Sequence, residues 1–273
     1  MSTVPVALTI AGSDSSGGAG IQADLKTFSA FGVYGASVIT ALTAQNTRGV
    51  QGVEAVPAPF VARQLESVLS DLDVAAVKTG MLANREIVET VAAGLAGLRQ
   101  RPVVVDPVMV ATSGDVLLAP DAVSAVLTHL IPLAGVLTPN LPEAAHLLRT
   151  DPARSEAEML AQARALTDLG AAAVLMKGGH GAGGEAVDLL WDGTDAHRYA
   201  RPRIDTRHTH GTGCTLAAAI AALLAQKVPL AAAVARAKDY VWHGLEAGRT
   251  LGVGQGRGPV DHLYAIRRNP PPA

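Results

Sequence analysis

Three glycine-rich segments of this sequence carry the residues best suited to chemistry. They are residues 12–24, 177–184 and 210–215. In the last one, HGTGCT, Gly211 and Gly213 would let the amides of residues 212–214 point together at the first turn of a helix. A helix start favours a bound anion through its free amides and its dipole. The pattern predicts a phosphate site, and the alternative is an ordinary tight turn with Thr212 as helix cap.

A cation and a carboxylate, Lys177 and Asp106, each follow a short apolar run. In open α/β sheets, ligands bind outside the carboxyl ends of the strands, so residues at those ends are candidates for binding. A lysine and an aspartate on one edge of a sheet suit a phosphate chain and its Mg²⁺. The other interpretation is that polarity only marks where a strand reaches solvent.

Asn140 and Glu143, in the segment NLPE, also have two interpretations. As structure, Asn140 at the N-cap, a proline in the first turn and Glu143 at the third position compose a capping box. As function, the Glu143 carboxylate could hold Mg²⁺ through water. Both can be true of the same side chain.

Cys214 is the only cysteine of the chain. A helix N-terminus favours a thiolate, so Cys214 could serve as a base or a nucleophile, or as part of the anion site. Its neighbours His208 and His210 suggest zinc, but a closed zinc site needs four ligands and there is no second cysteine. An inert buried cysteine is the remaining alternative.

Two nucleotide-binding motifs can be set aside. Gly18, Gly20 and Ala23 fit the dinucleotide pattern G-x-G-x-x-A, but the acidic residue it requires about 20 residues later is missing, since residues 25–53 contain no Asp or Glu. A Walker A loop is absent as well. Phosphoryl transfer by this chain would therefore use another scaffold.

The composition argues against nucleic acid, membranes and export. The 273 residues have a net charge of -2 and only 3% aromatics, which offers little to a polyphosphate backbone or to stacked bases. The N-terminus lacks the basic segment of a signal peptide, and polar residues and a proline interrupt the most apolar stretch, residues 216–235. One cysteine permits no internal disulfide. We expect a cytoplasmic protein with neither a nucleic-acid nor a membrane partner.

Short β-branched runs alternate with helical patterns along the chain, which predicts an α/β fold with a mostly parallel sheet covered on both faces. The predicted strands are residues 6–11, 33–41, 74–78, 102–106, 135–138, 172–177 and 186–191. The predicted helices are residues 20–31, 59–72, 84–98, 119–130, 141–148, 155–169, 212–225 and 230–247. We expect one domain over residues 1–266, a disordered tail over 267–273 and a flexible turn at 252–258.

Seven motifs together resemble one known family. They are GSDSSGGAGIQADLKTF, ITALTAQNTRGV, VKTGML, DPVM with SGD, TPNLPEA, KGGH and THGTGCT. In this order and spacing they resemble the hydroxymethylpyrimidine/phosphomethylpyrimidine kinases of thiamine biosynthesis, over residues 7–262. The resemblance implies a ribokinase-like three-layer fold without a separate β lid, and a homodimer.

On the substrate side, the resemblance implies that the Gln45 amide pairs with a ring nitrogen and the exocyclic amine of an aminopyrimidine. Gly12 and Asp24 would line the same pocket, and Met81 would lie against the ring. Without the resemblance, a surface glutamine, a capping aspartate and a core methionine would be the preferred interpretations.

On the phosphate side, the resemblance implies ATP and Mg²⁺ as cofactors. Metal ligands would be Asp106 and Glu143, and ATP would be bound by Lys177, Thr212, Asn140 and His210. The turn of Gly211, Thr212 and Gly213 would form the anion hole at the transferring phosphoryl group. Cys214 stands where sugar kinases of the superfamily have an aspartate base.

The implied reaction is phosphorylation of 4-amino-5-hydroxymethyl-2-methylpyrimidine by ATP, followed by phosphorylation of the monophosphate. Three positions depart from the family: Ser15 where Pro is frequent, Thr79 where Ile is common and Thr112 where Lys is expected. If that lysine helps to neutralise the monophosphate, its replacement by Thr112 affects the second phosphorylation more than the first. A pyridoxal/pyridoxine kinase, a non-catalytic pyrimidine sensor and a Cys/His hydrolase are the alternatives.

Overall fold

The computed structural model describes residues 4–98, 100–109, 117–119, 121–179 and 183–268, and its strands join in one sheet. In chain order the strands are β1 (Val6–Asp14), β2 (Tyr34–Asn46), β3 (Gly49–Ala55), β4 (Val74–Thr79), β5 (Val103–Val105), β6 (Val136–Leu137), β7 (Val174–Lys177), β8 (Glu185–Trp191) and β9 (Ala196–Pro202). Their order across the sheet is β3-β2-β1-β4-β5-β6-β7-β8-β9.

The six inner strands run parallel to one another; in sheet order they are β2, β1, β4, β5, β6 and β7. β3 pairs antiparallel with β2 at one edge, and β8 and β9 are antiparallel at the other. Inner strands such as β5 are buried valine runs, as expected for a parallel sheet with both faces covered. The prediction of a mostly parallel sheet is confirmed, and every strand in the described ranges belongs to this sheet, with no separate β lid.

The sequence patterns do not predict the edge strands β3 and β9. β3 contains two glycines and is mostly exposed, and β9 contains a histidine and two arginines. Neither strand has the apolar pattern that marks a buried strand, so pairing with a neighbour is what forms it. The predicted strands 6–11 and 33–41 also end too early, because β1 continues to Asp14 and β2 to Asn46.

Helices cover both faces of the sheet. They are α1 (Gly20–Ala30), α2 (Ala58–Leu69), α3 (Arg85–Leu95), α4 (Ala122–Ala125), α5 (Leu141–Leu148), α6 (Glu156–Asp168), α7 (Thr212–Ala225), α8 (Leu230–Gly248) and α9 (Tyr264–Arg268). Helices α2 to α6 pack in one apolar cluster, and α1, α7 and α8 pack in a second cluster on the opposite face. The result is the expected three-layer arrangement.

Most predicted helices are observed, with small shifts at their ends, and α5 and α7 match their predicted bounds. The helix predicted over 119–130 differs, because only Ala122–Ala125 is α-helical and a π-helical turn, Val126–Leu130, follows it. Helix α7 is buried along nearly its whole length, which explains why its sequence is apolar on all sides. No helix in the described ranges is both long and apolar enough to span a bilayer.

The C-terminal part differs from expectation in two places. Arg267, predicted to begin a disordered tail, lies in α9, and its Nε atom is 3.0 Å from Asp261 Oδ2. Residues 269–273 of that tail lie outside the described residues. The glycine-rich turn at 252–258 is held against the β2–β3 hairpin, because the amides of Gly256 and Arg257 donate to Thr47 Oγ1 and Thr47 O.

Candidate active site

The carboxyl ends of the parallel strands bring polar residues to one edge of the sheet. Thr79 ends β4, Asp106 follows β5 and Lys177 ends β7. The Asp106 amide donates to Thr79 O, and Thr138 Oγ1 lies 3.3 Å from Asp106 Oδ1. The Lys177 amide donates to Pro139 O, so the loop before α5 lies at the same edge. This convergence is what the positions of the strand ends predict.

Lys177 pairs with two carboxylates at this edge. Its Nζ atom is 2.8 Å from Asp106 Oδ1 and 3.8 Å from Glu143 Oε2. Burial by itself would lower the Lys177 pKa, but the carboxylates of Asp106 and Glu143 outweigh it and raise the pKa above its usual range. Lys177 is therefore a fixed positive charge.

Glu143 and Asn140 form the predicted capping box at the start of α5. Asn140 Oδ1 accepts from the Glu143 amide and Glu143 Oε2 accepts from the Asn140 amide, each at 2.8 Å. Burial raises the pKa of Glu143 to about 7, although the Lys177 ammonium opposes the shift. Glu143 can thus gain or lose a proton near neutral pH, and a bound cation would favour its charged form.

The turn before α7 has the geometry of an anion site. Gly211 has a φ of 79°, in the left-handed region, and a methyl group at this position would overlap the carbonyl oxygen of Gly18. The Thr212 amide donates to Thr209 O. Because the first amides of a helix have no partner within the helix, those of Gly213 and Cys214 are the better placed for an anion. The predicted set of three amides is thereby reduced to two.

Gly213 brings this turn close to the charged side chains of Lys177 and Asp106. A methyl group built on Gly213 would lie 3.4 Å from Lys177 Nζ and 3.8 Å from Asp106 Oδ2. The helix start, the ammonium and the carboxylate therefore meet in one place, as the sequence motifs predict. An anion there would interact with backbone amides and a lysine together.

Cys214 is not a thiolate in this environment. Burial raises the pKa of its thiol to about 11, although Lys78 opposes this and the Gly20 amide donates to the sulfur. The helix start alone suggested a lowered pKa, and desolvation outweighs that effect. Cys214 therefore carries its proton at neutral pH, which favours a hydrogen-bonding role over that of a strong base.

Asp24 and Lys78 form a completely buried ion pair beneath Cys214. Lys78 Nζ is 2.8 Å from Asp24 Oδ2, which also accepts from Thr9 Oγ1 at 2.6 Å. Burial would lower the Lys78 pKa, but the Asp24 carboxylate outweighs it and raises the pKa above its usual range. Both side chains are fully inaccessible, so Asp24 is not exposed for the pyrimidine contact that the resemblance implies.

The residues expected to hold the substrate lie near the ends of β1, β2 and β4. Gly12 donates its amide to Met81 O, and a methyl group on Gly12 would lie 3.0 Å from Met81 Sδ. Gln45 is the second-last residue of β2 and is half-buried. Its Oε1 atom lies 3.0 Å from Thr43 Oγ1. The structure thus places Gln45 near the carboxyl end of β2, and Met81 lies against Gly12.

His210 is bonded to a carboxylate that sequence reasoning did not connect with it. Its Nε2 atom is 2.7 Å from Asp14 Oδ2, and both side chains are almost inaccessible. Asp14 also accepts from the amides of Gly18 and Ala19. The two residues are 196 positions apart, so no local pattern predicts the pair. An ATP contact by His210 stays a prediction.

The donor set fits a magnesium ion bound together with a nucleotide. Within the described ranges there is no group of three or more His, Cys, Asp and Glu side chains that could hold a metal alone. Mg²⁺ in kinases typically uses one or two carboxylates, water and substrate phosphates. Asp106 and Glu143, both facing Lys177, supply such a pair. The ion would therefore arrive with its phosphate ligands.

The doubly covered parallel sheet, with a lysine, carboxylates and a glycine-rich helix start at its carboxyl edge, defines a ribokinase-like small-molecule kinase. A model of the phosphomethylpyrimidine kinase family matches residues 14–261, and the chain belongs to this family. A hydroxymethylpyrimidine/phosphomethylpyrimidine kinase from Rhizobium meliloti (strain 1021) is 60% identical over 259 residues, which are 95% of this chain and 97% of that protein.

Solved structures show the same fold. A Bacillus subtilis pyridoxal kinase in an ADP complex has a TM-score of 0.88 at 37% identity, covering 98% of this chain and 100% of that chain. A phosphomethylpyrimidine kinase from Clostridium difficile 630 has a TM-score of 0.78 at 43% identity, covering 88% and 98%. The ribokinase-like fold expected from the motifs is confirmed.

Proposed function

We propose that this chain phosphorylates 4-amino-5-hydroxymethyl-2-methylpyrimidine with ATP and then phosphorylates the monophosphate, as part of thiamine biosynthesis. The observation that carries the proposal is the meeting of Lys177, Asp106 and Gly213 at the carboxyl edge of the sheet. A transferring phosphoryl group there would face a fixed ammonium and two backbone amides. Such positioning and charge stabilisation are what phosphoryl transfer requires of a protein.

Each side of the site has a proposed task. Gln45 pairs with the polar edge of the pyrimidine and Met81 packs against its ring, which aims the hydroxymethyl group at the anion hole. Lys177 binds the triphosphate, with Asn140, Thr212 and His210 as further nucleotide contacts. Asp106 and Glu143 hold Mg²⁺, which neutralises charge on the phosphates when it is bound.

Cys214 is proposed to orient the attacking hydroxyl group. Its thiol is protonated at neutral pH and lies beside the amides of the anion hole. Because phosphoryl transfer passes through a loose transition state, the alcohol needs alignment more than early removal of its proton. A thiol that hydrogen-bonds to the alcohol supplies that alignment.

The second phosphorylation needs more positive charge than the first, because its acceptor is already a phosphate monoester. Lys177 supplies one cation near the anion hole. Thr112, at the position where the family resemblance implies a lysine, lies outside the described residues. We therefore propose that the second step is slower than the first.

Pyridoxal phosphorylation is the second candidate, since solved pyridoxal kinases share this fold over nearly the whole chain. The higher identity to a pyrimidine kinase and the Gln45 amide favour the pyrimidine. The test is to measure kcat/KM for both alcohols at equal MgATP. We expect the pyrimidine to be preferred, and a preference for pyridoxal would overturn the assignment.

A homodimer in the cytoplasm completes the proposal. Near the β3 edge of the sheet, Leu42 of β2 is 51% exposed and Val53 of β3 is 44% exposed, and a second copy could cover such apolar side chains. Size-exclusion chromatography with light scattering should give twice the chain mass of 27.9 kDa. A monomer at micromolar concentration would contradict the dimer.

A further inference from the structure

We infer that residues 14–19, here called the linking loop, position Gln45 and the anion hole relative to each other. Ser15 bonds to Gln45, and the neighbouring Asp14 bonds to His210, which precedes the anion hole. Ser15, Asp14 and His210 are positioning residues in this account. The inference rests on the proposed function, because it concerns the distance between the pyrimidine and the phosphoryl site.

Ser15 holds the main chain of Gln45 on both sides. Its Oγ atom accepts a hydrogen bond from the Gln45 amide and donates one to the Gln45 carbonyl, each at 2.9 Å. Gln45 needs this support because the register of the β2–β3 pairing shifts between Ala44 and Gln45. Two bonds to one residue fix the peptide groups on either side of it, and hence the direction of the Gln45 side chain.

Asp14 holds the linking loop and joins it to the anion hole. Its carboxylate accepts from the amides of Ser16 at 2.8 Å, Gly18 at 3.0 Å and Ala19 at 2.8 Å, and it bonds to His210 Nε2 at 2.7 Å. Burial opposes ionisation, but the hydrogen bonds from His210 and Ser16 outweigh it and lower the Asp14 pKa below its usual range. The carboxylate is thus charged and collects amides that would otherwise be unpaired.

The linking loop also packs directly on the turn before α7. A methyl group on Gly211 would overlap Gly18 O, and one on Gly18 would overlap the His210 ring. With backbone against backbone and no side chain between, a shift of the loop is transmitted to the turn. His210 immediately precedes Gly211, so its bond to Asp14 fixes the turn from the other side.

This connection matters because the two reactants are held by different elements. Gln45 is on β2, and the phosphoryl group would lie at the start of α7. A misplacement of roughly 1 Å between reacting groups can reduce the rate by about 100-fold. The linking loop bonds to Gln45 on β2 and to His210 just before α7, so it sets that distance.

The Ser15 contact is tested with Ser15→Ala, Ser15→Thr and the control Ser29→Ala, whose exposed hydroxyl donates to Leu25 O within α1. Loss of two hydrogen bonds to Gln45 should raise KM for the pyrimidine by about 10-fold and leave KM for ATP unchanged. Ser15→Thr keeps the hydroxyl group and should restore the wild-type value, and Ser29→Ala should match wild type. Unchanged pyrimidine KM in Ser15→Ala would overturn the inference.

The Asp14–His210 hydrogen bond is tested with His210→Ala and His210→Gln. We expect His210→Ala to lower kcat by about 10-fold, and His210→Gln, which can still donate to Asp14, to recover part of it. A rise in KM for ATP with kcat unchanged would show that His210 acts only as a nucleotide contact, and it would overturn the positioning role. Thermal unfolding of each variant shows whether it is folded.

The double variant Ser15→Ala/His210→Ala measures the coupling. If the linking loop joins Gln45 to the anion hole, the combined loss in kcat/KM should be smaller than the product of the two single losses. Losses that simply multiply would overturn the connection. Wild-type protein that neither binds the pyrimidine in calorimetry nor phosphorylates it would instead overturn the proposed function, and this inference with it.

Discussion

At the scale of single residues, desolvation keeps two side chains near the anion hole, Cys214 and His262, uncharged. Cys214 lies at a helix start and near Lys78, both of which favour a thiolate, yet burial raises its pKa to about 11. His262, which touches the same helix through Thr215, is shifted by burial to a pKa of about 4. Both side chains are therefore uncharged at neutral pH, and Lys177 supplies the fixed positive charge beside Gly213.

Replacing Cys214 tests its role in aligning the alcohol. We expect Cys214→Ala to lower kcat by about 100-fold and Cys214→Ser, which keeps a donor and acceptor, to lose less. Because Cys214 is the only cysteine, the pH dependence of its alkylation by iodoacetamide reports its ionisation. Labelling should be slow at pH 7.5 compared with the unfolded chain. Unchanged turnover in Cys214→Ala would contradict the assigned role.

His262 makes the fold sensitive to acid. Its pKa is about 4 in the folded protein, against an ordinary value of 6.5 for a histidine exposed to water, so between these values the unfolded chain binds a proton that the folded chain excludes. Stability is therefore lost as pH falls through this window, by about 2 kcal/mol between pH 7.5 and 5. Urea unfolding of His262→Gln should show a smaller loss than wild type. Equal losses in both would contradict the assignment.

At the scale of elements, the start of α7 is held by segments from both ends of the chain. The linking loop contacts Gly211 from the N-terminal side, and Gly258 and Val260 bond to the main chain of His210 from the C-terminal side. Gly244 and Gly248 of α8 let this C-terminal segment approach closely. The anion hole is thus an assembly of three segments that are distant in sequence.

Gly211 is the position at which this assembly tolerates change least. Gly211→Ala would force a methyl group onto Gly18 O at a φ of 79°, so we expect a loss of about 1–3 kcal/mol in stability and at least about 10-fold in kcat. Gly97→Ala is the matched control, because a methyl group there meets no atom of the described residues within 4 Å. Chemical denaturation and steady-state kinetics measure both effects. Gly211→Ala behaving like Gly97→Ala would refute this account of the turn.

The sequence predicts elements well where the signal is local. Helix α5 follows from its capping box, and α7 from the glycine and threonine before a long apolar run. Asp106 and Lys177 are found because each ends a buried strand. The edge strands β3 and β9 lack an apolar pattern, and their pairing partners define them.

Contacts between distant segments cannot be predicted from local sequence patterns. The Asp14–His210 pair and the Lys78–Asp24 pair join residues 196 and 54 positions apart, and only the folded sheet brings them together. Lys78 looks like a polar strand end in sequence, although the structure buries it completely. The signal that could have suggested these pairs is an isolated charge inside an otherwise apolar or glycine-rich segment.

At the scale of the whole molecule, one sheet carries apolar clusters on both faces. Loss of either helical layer would expose one apolar face of the sheet, although the other layer would still cover the opposite face. We therefore propose that the chain unfolds as a single unit. Calorimetry should show one transition with equal calorimetric and van't Hoff enthalpies. Two resolved transitions would contradict a single domain.

The central claim is that this site transfers phosphate from ATP to the hydroxymethyl group of an aminopyrimidine and then to the resulting monophosphate. Mass spectrometry of the products, after incubation of the protein with the pyrimidine alcohol and MgATP, tests it most directly. We predict the monophosphate first and the diphosphate later. A pyrimidine that remains unmodified while the protein is folded and binds ATP would contradict the account.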